Sequence, residues 1–210
     1  MALLPIGAAR LLFRIANYYN PNEILQIGTN YGFTASTLML VSHSSRLSIF
    51  EPDEVRLSRA QILLYAYHHR ISHFTSLEQT FEHYSSTKKN VPFILVDAVR
   101  SSSVRQTAEH IRRLAHLDDD IPQDSSRGGI SDNGSVGTDH EAVFDDDNIH
   151  QNSTHEAVLI LFGVSHSASM RQLWGLCKSN RRWGMTFSNE HIAILIANPK
   201  LQPQDFTLWL

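Results

Sequence analysis

The twelve residues 23–34, EILQIGTNYGFT, restrict the possible folds of this chain more than any other segment. An apolar run typical of a buried strand ends at Gly28, and a helical pattern begins at Gly32, four residues later. Gly28 has no side chain that would keep a small molecule away from the backbone, and Gly32 allows the helix to begin close to the strand. Thr29 and Asn30 place polar groups where the free backbone N–H groups of a helix start point outward. The segment therefore predicts a strand, a ligand-binding turn and a helix.

Strand and helix patterns alternate along most of the chain. They predict strands at 23–28, 47–51, 71–75, 91–97, 157–162, 184–187 and 192–197, and helices at 8–19, 32–43, 54–68, 77–84, 103–116 and 168–180. Such alternation predicts an α/β fold with a mostly parallel sheet and right-handed crossovers. The last two strands are joined by the short turn 188–190, which predicts an antiparallel hairpin at the end of the chain.

One segment interrupts this alternation. Residues 118–155 contain ten acidic side chains and one base, Arg127, which leaves 11 acids and 17 bases in the rest of the 210-residue chain. The segment is rich in Asp, Ser, Gly and Asn and has few large apolar residues, so it cannot bury enough surface to offset the entropy lost on ordering. We therefore expect one domain, made of residues 1–117 and 156–210, with a disordered acidic insertion at 118–155.

Composition excludes several classes of protein. The net charge of −3 indicates neither a nucleic-acid partner nor a membrane partner. Cys177 is the only cysteine, so an intramolecular disulfide is impossible, and its helical setting predicts a packing role. Residues 1–5 have no charged flank or long apolar run, and we predict neither a signal peptide nor a transmembrane helix. These observations favour a soluble cytoplasmic protein.

The predicted sheet brings three residues together at the carboxyl ends of its strands. Ligands of parallel sheets bind beyond the carboxyl ends of the strands, where Gly28, Glu51 and Asp97 follow the first, second and fourth strands. A carboxylate at the position of Glu51 is suited to accept hydrogen bonds from both hydroxyls of a ribose. The alternative is an exposed strand-end acid beside a helix start. The glycines match neither the dinucleotide pattern Gly-x-Gly-x-x-Gly nor a phosphate-binding P-loop.

With these residues in place, the chain resembles the class I S-adenosylmethionine-dependent methyltransferases. Residues 11–19, 24–34 and 206–210 resemble an O-methyltransferase-like branch of that family. The resemblance implies a Rossmann-like seven-stranded sheet with helices on both faces, and a turn at 28–32 that surrounds the methionine part of the cofactor. It also implies that Glu51 holds the ribose and that Ser76 lies near the adenine. The predicted cofactor-binding residues are Gln26, Gly28, Thr29, Asn30, Gly32, Thr34, Glu51, Ser76 and Asp97.

The chain departs from that family where a metal or a catalytic group is expected. Gln26 stands where an acid usually assists in binding the cofactor's ammonium group, and it brings no charge. The fifth strand is followed by Gly163 and Val164 instead of paired acids. Asp97 alone does not supply the several oxygen ligands of a divalent ion, so we predict no metal site. Asp97 and His166 are the candidate catalytic residues, and the alternative for His166 is a surface histidine at a strand-to-helix turn.

Three functions are compatible with these patterns. The first is an S-adenosylmethionine-dependent methyltransferase that transfers the methyl group directly to a small-molecule acceptor, by O-methylation. Direct transfer needs mainly in-line positioning, so few catalytic residues suffice. The second is a catalytically impaired relative that binds the cofactor or serves as an interaction module, which Gln26 and the missing acids at 163–164 favour. The third is a nucleotide-linked oxidoreductase, which the missing third glycine disfavours.

Overall fold

A computed structural model describes residues 6–87, 92–115, 117, 156–179, 181 and 184–209 of the chain. The helices are α1 (Ile6–Tyr19), α2 (Phe33–Met39), α3 (Glu54–Leu63), α4 (Leu77–Thr87), α5 (Val104–Leu114) and α6 (Ala168–Lys178). The strands are β1 (Glu23–Ile27), β2 (Arg46–Phe50), β3 (Ile71–Phe74), β4 (Phe93–Val96), β5 (Ala157–Phe162), β6 (Met185–Ser188), β7 (Ile192–Ala197) and β8 (Gln204–Thr207). The predicted insertion at 118–155 lies outside the described residues.

One sheet in the order β3-β2-β1-β4-β5-β7-β6-β8 contains every described strand. The strands β1 to β5 run parallel to one another, and β7 runs antiparallel to both β5 and β6. The predicted α/β fold with a C-terminal antiparallel hairpin is confirmed. An eighth strand, β8, extends the predicted seven by pairing with β6 at the edge of the sheet. All four residues of β8 are exposed, so its sequence lacks the apolar pattern of a buried strand.

Two apolar layers cover the two faces of the sheet, because successive strand residues point to opposite faces. In β5, Leu159 and Leu161 contribute to one layer while Val158 and Ile160 contribute to the other. The helices α1, α2 and α3 pack on the second layer, and α4, α5 and α6 pack on the first. Both faces of the central strands are therefore buried, as expected for a parallel sheet between two layers of helices.

Cys177 of α6 belongs to the first layer, where its side chain is completely buried. Burial raises the pKa of this thiol to about 12, so the group is neutral near pH 7. A buried neutral thiol is a poor nucleophile, in agreement with the predicted packing role. No helix among the described residues has the length and apolarity needed to cross a membrane.

Shortening a buried side chain of the central strand β5 tests this two-layer core. Leu159 is 0% exposed, and we expect Leu159→Ala to lower the free energy of unfolding by about 3 kcal/mol, from lost apolar burial and a residual cavity. Ile62 of α3 is 77% exposed, and Ile62→Ala serves as the control, with an expected change within about 0.5 kcal/mol. Urea denaturation of the full chain measures both. Equal losses for the two variants would contradict the described core.

Candidate ligand-binding site

The carboxyl ends of β1, β2 and β4 enclose one cavity. These three strands are neighbours in the sheet, so the loops that follow them meet above the same edge. The cavity has a volume of about 300 Å³. It is lined by Gly28, Phe50, Glu51, Pro52, Asp53, Arg56, Ala98, Val99 and Arg100. Gly28 and Glu51 therefore lie in the predicted cleft. Residues 98–100, after β4, form a third wall of the cavity, and Asp97 directly precedes this wall.

Glycine is required at position 28. Its φ of +82° is one that side-chain-bearing residues rarely adopt. A Cβ atom at this position would lie 2.7 Å from the backbone nitrogen of Ala98, closer than packed atoms allow. The turn after β1 therefore presses directly against the loop after β4. This contact, and not an open notch alone, explains the glycine that the sequence pattern singled out.

Glu51 is buried, with 3% of its surface exposed, and its carboxylate connects the ends of β1 and β2. Its Oε2 accepts hydrogen bonds from the backbone N–H of Thr29 at 3.1 Å and from the Thr29 hydroxyl at 3.0 Å. Its Oε1 accepts from the backbone N–H of Asp53 at 3.1 Å. A carboxylate has about four acceptor positions, so one remains, and a second is released if the Thr29 hydroxyl turns away. Glu51 is thus a built part of the cavity wall and not a freely exposed acid.

The turn between β1 and α2 has an unusual backbone. Asn30, Tyr31 and Gly32 have φ values of +40°, +57° and +92° in succession. Left-handed conformation is unfavourable for a bulky residue such as Tyr31, and such strain is often found at ligand sites. The guanidinium carbon of Arg59, on α3, lies 5.6 Å from the Tyr31 ring centroid, an arrangement that favours a cation–π contact. This contact connects the turn to α3.

Beneath the cavity, three side chains form a hydrogen-bonded cluster, which we name the Gln26–Asp97–Thr34 cluster. The Nε2 of Gln26 donates to Oδ2 of Asp97 at 2.6 Å, and the Thr34 hydroxyl donates to Oδ1 of Asp97 at 3.0 Å. Gln26 and Thr34 are both 0% exposed. Neither lines the cavity, and both donate hydrogen bonds to Asp97, so the contact of these two predicted residues with a cofactor stays a prediction. Asn30 approaches the cluster through its Nδ2, which lies 3.5 Å from the Thr34 hydroxyl.

The environment of Asp97 favours its neutral form. Burial raises the pKa of Asp97 from the usual 3.8 to about 7, opposed by the hydrogen bonds from Thr34 and Gln26. The negative charge of Glu51 raises this pKa further. We therefore expect Asp97 to titrate near neutral pH, and such raised carboxyl pKa values are common at functional sites.

The structure pairs His166 with a histidine that the sequence interpretation missed. His166 follows β5 and His191 precedes β7, and their rings stack with centroids 5.7 Å apart. The pairing of Phe162 with Ile192 explains the approach, because antiparallel strands bring these two loops together. The two histidines are far apart in sequence, so no local pattern indicated this pair. The predicted C-terminal hairpin was the only sequence signal that could have suggested it. Both rings are exposed at the same edge of the sheet as the cavity.

Ser76 lies outside the cavity, at the start of α4. Its backbone and side chain begin α4: the Ser76 carbonyl accepts from Thr80 at 3.2 Å, and its hydroxyl accepts from Gln79 at 3.4 Å. Ser76 does not line the cavity, and its contact with an adenine stays a prediction. The cavity is also lined by Arg56 and Arg100, which no sequence motif indicated as site residues. No group of three or more His, Cys, Asp or Glu side chains suited to a metal ion occurs in the part of the chain that the structure describes.

Solved structures share this architecture. The O-methyltransferase TomG from Streptomyces achromogenes, involved in tomaymycin synthesis and crystallised with S-adenosylmethionine, is 14% identical with a TM-score of 0.58, over 93% of this chain and 81% of that one. An O-methyltransferase from Bacillus cereus, in complex with S-adenosylhomocysteine, is 14% identical with a TM-score of 0.57, over 94% of this chain and 82% of that one. A methyltransferase from Geobacter sulfurreducens is 13% identical with a TM-score of 0.56, over 94% and 82%.

No protein-family model matches the chain, and no curated protein matches its sequence. At such low identity the structural likeness shows the fold. The chain has the class I fold of the S-adenosylmethionine-dependent methyltransferases, as its resemblance to that family predicted.

A pair of glycine substitutions tests the wall of the cavity. Gly28→Ala adds a Cβ atom 2.7 Å from Ala98 at a positive φ, so we expect a loss of about 2 kcal/mol or more in unfolding free energy. A Cβ atom added at Gly175, in α6, would meet no atom within 4 Å, and Gly175→Ala should stabilise by about 0.5–1 kcal/mol. Thermal and urea unfolding measure both. A neutral Gly28→Ala variant would contradict the close contact.

The raised pKa of Asp97 predicts how stability varies with pH. The native state holds this proton up to about pH 7 whereas the unfolded chain releases it near 3.8, so Asp97 lowers stability progressively as pH rises from about 4 to 7. Asp97→Asn, which imitates the neutral acid, should remove that decline and be more stable than the parent chain at pH 8. Denaturation from pH 4 to 8 measures it, with exposed Glu78→Gln as the control that keeps the parental slope.

Proposed function

We propose that this chain is a cytoplasmic methyltransferase that binds S-adenosylmethionine in the cavity and methylates an oxygen of a small-molecule acceptor by direct transfer. The observation that carries the proposal is the buried carboxylate of Glu51, which faces the Gly28 turn across the ends of two adjacent strands. This combination joins an acceptor of ribose hydroxyls to a backbone that a ligand can approach closely. The shared fold with cofactor-bound O-methyltransferases supports the choice of ligand.

The residues present fit this cofactor. Glu51 keeps at least one free acceptor position for a ribose hydroxyl and gains another when the Thr29 hydroxyl rotates. Gly28 lines the cavity and has no side chain, so a ligand can approach its backbone closely. Asp97 directly precedes the cavity residues that follow β4, and in its ionised form it would attract the ammonium group at the methionine end. Gln26 and Thr34 hold Asp97 in place from below.

S-adenosylmethionine supplies an electrophilic methyl group on a sulfonium centre when bound. The protein's contribution is then to orient the acceptor and to take up its proton. Two groups at this edge of the sheet suit the proton transfer. Asp97 has a pKa of about 7, and His166 is exposed at the end of β5 beside His191. These assignments make Asp97 and His166 the candidate catalytic residues.

A second candidate function is cofactor binding without methyl transfer. The observation that favours it is the loop after β5, where Gly163 and Val164 supply no side chain able to exchange a proton or bind a metal ion. Asp97 is also partly committed to Gln26 and Thr34, which restricts its approach to an acceptor. An interaction module that retains the ligand would need only the Gly28 turn and Glu51.

Calorimetric titration of the full chain tests ligand binding. We expect S-adenosylmethionine and S-adenosylhomocysteine to bind, and Glu51→Gln to weaken both by about 10–100-fold because hydrogen bonds to a charged acceptor are lost. Glu54→Gln removes the same charge from an exposed position nearby and should bind like the parent chain. Absence of binding in the parent chain would overturn the proposal, and binding that survives Glu51→Gln unchanged would overturn the role of Glu51.

Two further arms separate the remaining functions. Binding of NAD, without binding of S-adenosylmethionine or S-adenosylhomocysteine, would indicate a nucleotide-linked oxidoreductase. If S-adenosylmethionine binds, incubation with hydroxylated small molecules and detection of S-adenosylhomocysteine distinguishes a methyltransferase from a non-catalytic binder.

A further inference from the structure

The Gln26 amide is an unusual component of the buried cluster. Its Nε2 donates to Asp97 at 2.6 Å, while its Oε1 is buried and has no hydrogen-bond partner among the described residues. An unpaired buried acceptor costs about 1–3 kcal/mol, so the position is not optimised for stability alone. Gln26 nevertheless makes the shortest hydrogen bond to the one carboxyl group in the cluster. The charge on Asp97 offers a physical reason for an amide at this position.

Both charge states of Asp97 can be hydrogen-bonded without moving the backbone. When Asp97 is ionised, Gln26 and Thr34 each donate to one carboxylate oxygen. When Asp97 is neutral, Gln26 still donates to its carbonyl oxygen, and the Thr34 hydroxyl turns to accept the acid's proton, because a hydroxyl both donates and accepts. The cluster thus allows the carboxyl group to gain or lose a proton while keeping two hydrogen bonds.

We propose that Gln26 is the positioning residue that makes Asp97 a proton-controlled anchor for the cationic end of the ligand. A neutral amide beside Asp97 leaves one carboxyl group in the cluster, so a single proton decides whether Asp97, directly before the cavity residues Ala98, Val99 and Arg100, carries a negative charge. This inference rests on the proposed binding of S-adenosylmethionine. It extends that function by naming the residue that sets its response to pH.

The charges around Asp97 give the direction of the effect. Gln26 of β1 and Thr34 of α2 are neutral, and Glu51 after β2 is the charged group that acts on Asp97, adding to the burial that raises its pKa to about 7. A ligand ammonium stabilises the ionised form, so binding strengthens as pH rises toward and through 7. An acid at position 26 would behave differently. Two carboxyl groups this close share one proton, and the pair keeps one negative charge over the neutral range.

Two probes isolate the cationic end. S-adenosylhomocysteine carries the amino-acid group, whereas 5′-methylthioadenosine keeps the adenosine and lacks that group. Calorimetry is run from pH 5.5 to 7.5, where an α-amino group stays mostly protonated because its usual pKa lies above this range. We expect the affinity of the parent chain for S-adenosylhomocysteine to rise by about tenfold over this range, and its affinity for 5′-methylthioadenosine to change by less than about twofold.

Gln26→Glu is the decisive variant. If it binds S-adenosylhomocysteine with an affinity that is flat from pH 5.5 to 7.5, the role of Gln26 is supported. If it keeps the parental slope, or if the parent chain shows no slope, the proposal is overturned. Asp97→Asn is the matched neutral variant, and we expect weak, pH-independent binding of S-adenosylhomocysteine with unchanged binding of 5′-methylthioadenosine.

A measurement without ligand keeps the test independent of folding losses and of the proposed function. In the free full-length protein, the side-chain amide signals of Gln26 in ¹⁵N NMR should titrate near pH 7 and lose this titration in Asp97→Asn. Flat Gln26 signals in the parent chain would overturn the inference even if both probes bind. Failure of both probes to bind, with a normal Gln26 titration, would refute the proposed function while leaving the proton exchange at Asp97 in place.

Discussion

The contact between Gly28 and Ala98 is the constraint on which the candidate site depends. The backbone N–H groups of Asp97 and Ala98 both approach the carbonyl of Ile27, at 2.9 and 3.3 Å, so the loop after β4 continues the pairing of the two strands past their ends. That pairing leaves no space for a side chain at position 28. Asp97, directly before Ala98, accepts hydrogen bonds from Gln26 and Thr34. A shift of this loop would alter the cavity wall and the Gln26–Asp97–Thr34 cluster together.

The same edge of the sheet contains a second, separate connection. Glu51 accepts hydrogen bonds from Thr29 and from Asp53, which joins the turn after β1 to the start of α3. Asp53 in turn accepts from the N–H groups of Val55 and Arg56 at the start of that helix. A buried carboxylate needs such partners, because an unpaired charge in the interior is strongly unfavourable. The cavity is therefore bordered by groups that hydrogen bonds within the protein hold in place.

Much of this arrangement could be predicted from the sequence. Hydrophobic runs and glycine positions located the strands, and the rule that ligands bind at carboxyl ends of parallel strands brought Gly28 and Glu51 together. Two features could not be predicted. The hydrogen bonds from Gln26 and Thr34 to Asp97 depend on the directions of their side chains. The stacking of His166 on His191 depends on the register of β5 and β7. Residues this far apart in sequence meet only through tertiary structure.

The eighth strand shows a different limit. The four residues of β8 are exposed, so no periodic apolar pattern marks them, and their pairing with β6 supplies the structure instead. Edge strands are often recognised in this way only after the sheet is known, because backbone hydrogen bonds do not require a particular side chain.

The two halves of the site contribute different properties. The half formed by β1 and β2 has a carboxylate with most of its acceptor positions occupied and a backbone strained into the left-handed region. The half that follows β4 and β5 has a single half-buried acid and two exposed histidines. A proton on Asp97 changes the charge of this second half without involving the hydrogen bonds of Glu51 in the first half, so the charge of one half can vary while the other keeps its contacts. Under the proposed function, the first half would recognise the adenosine group and the second half would retain the cationic group, so the two tasks would depend on different strands.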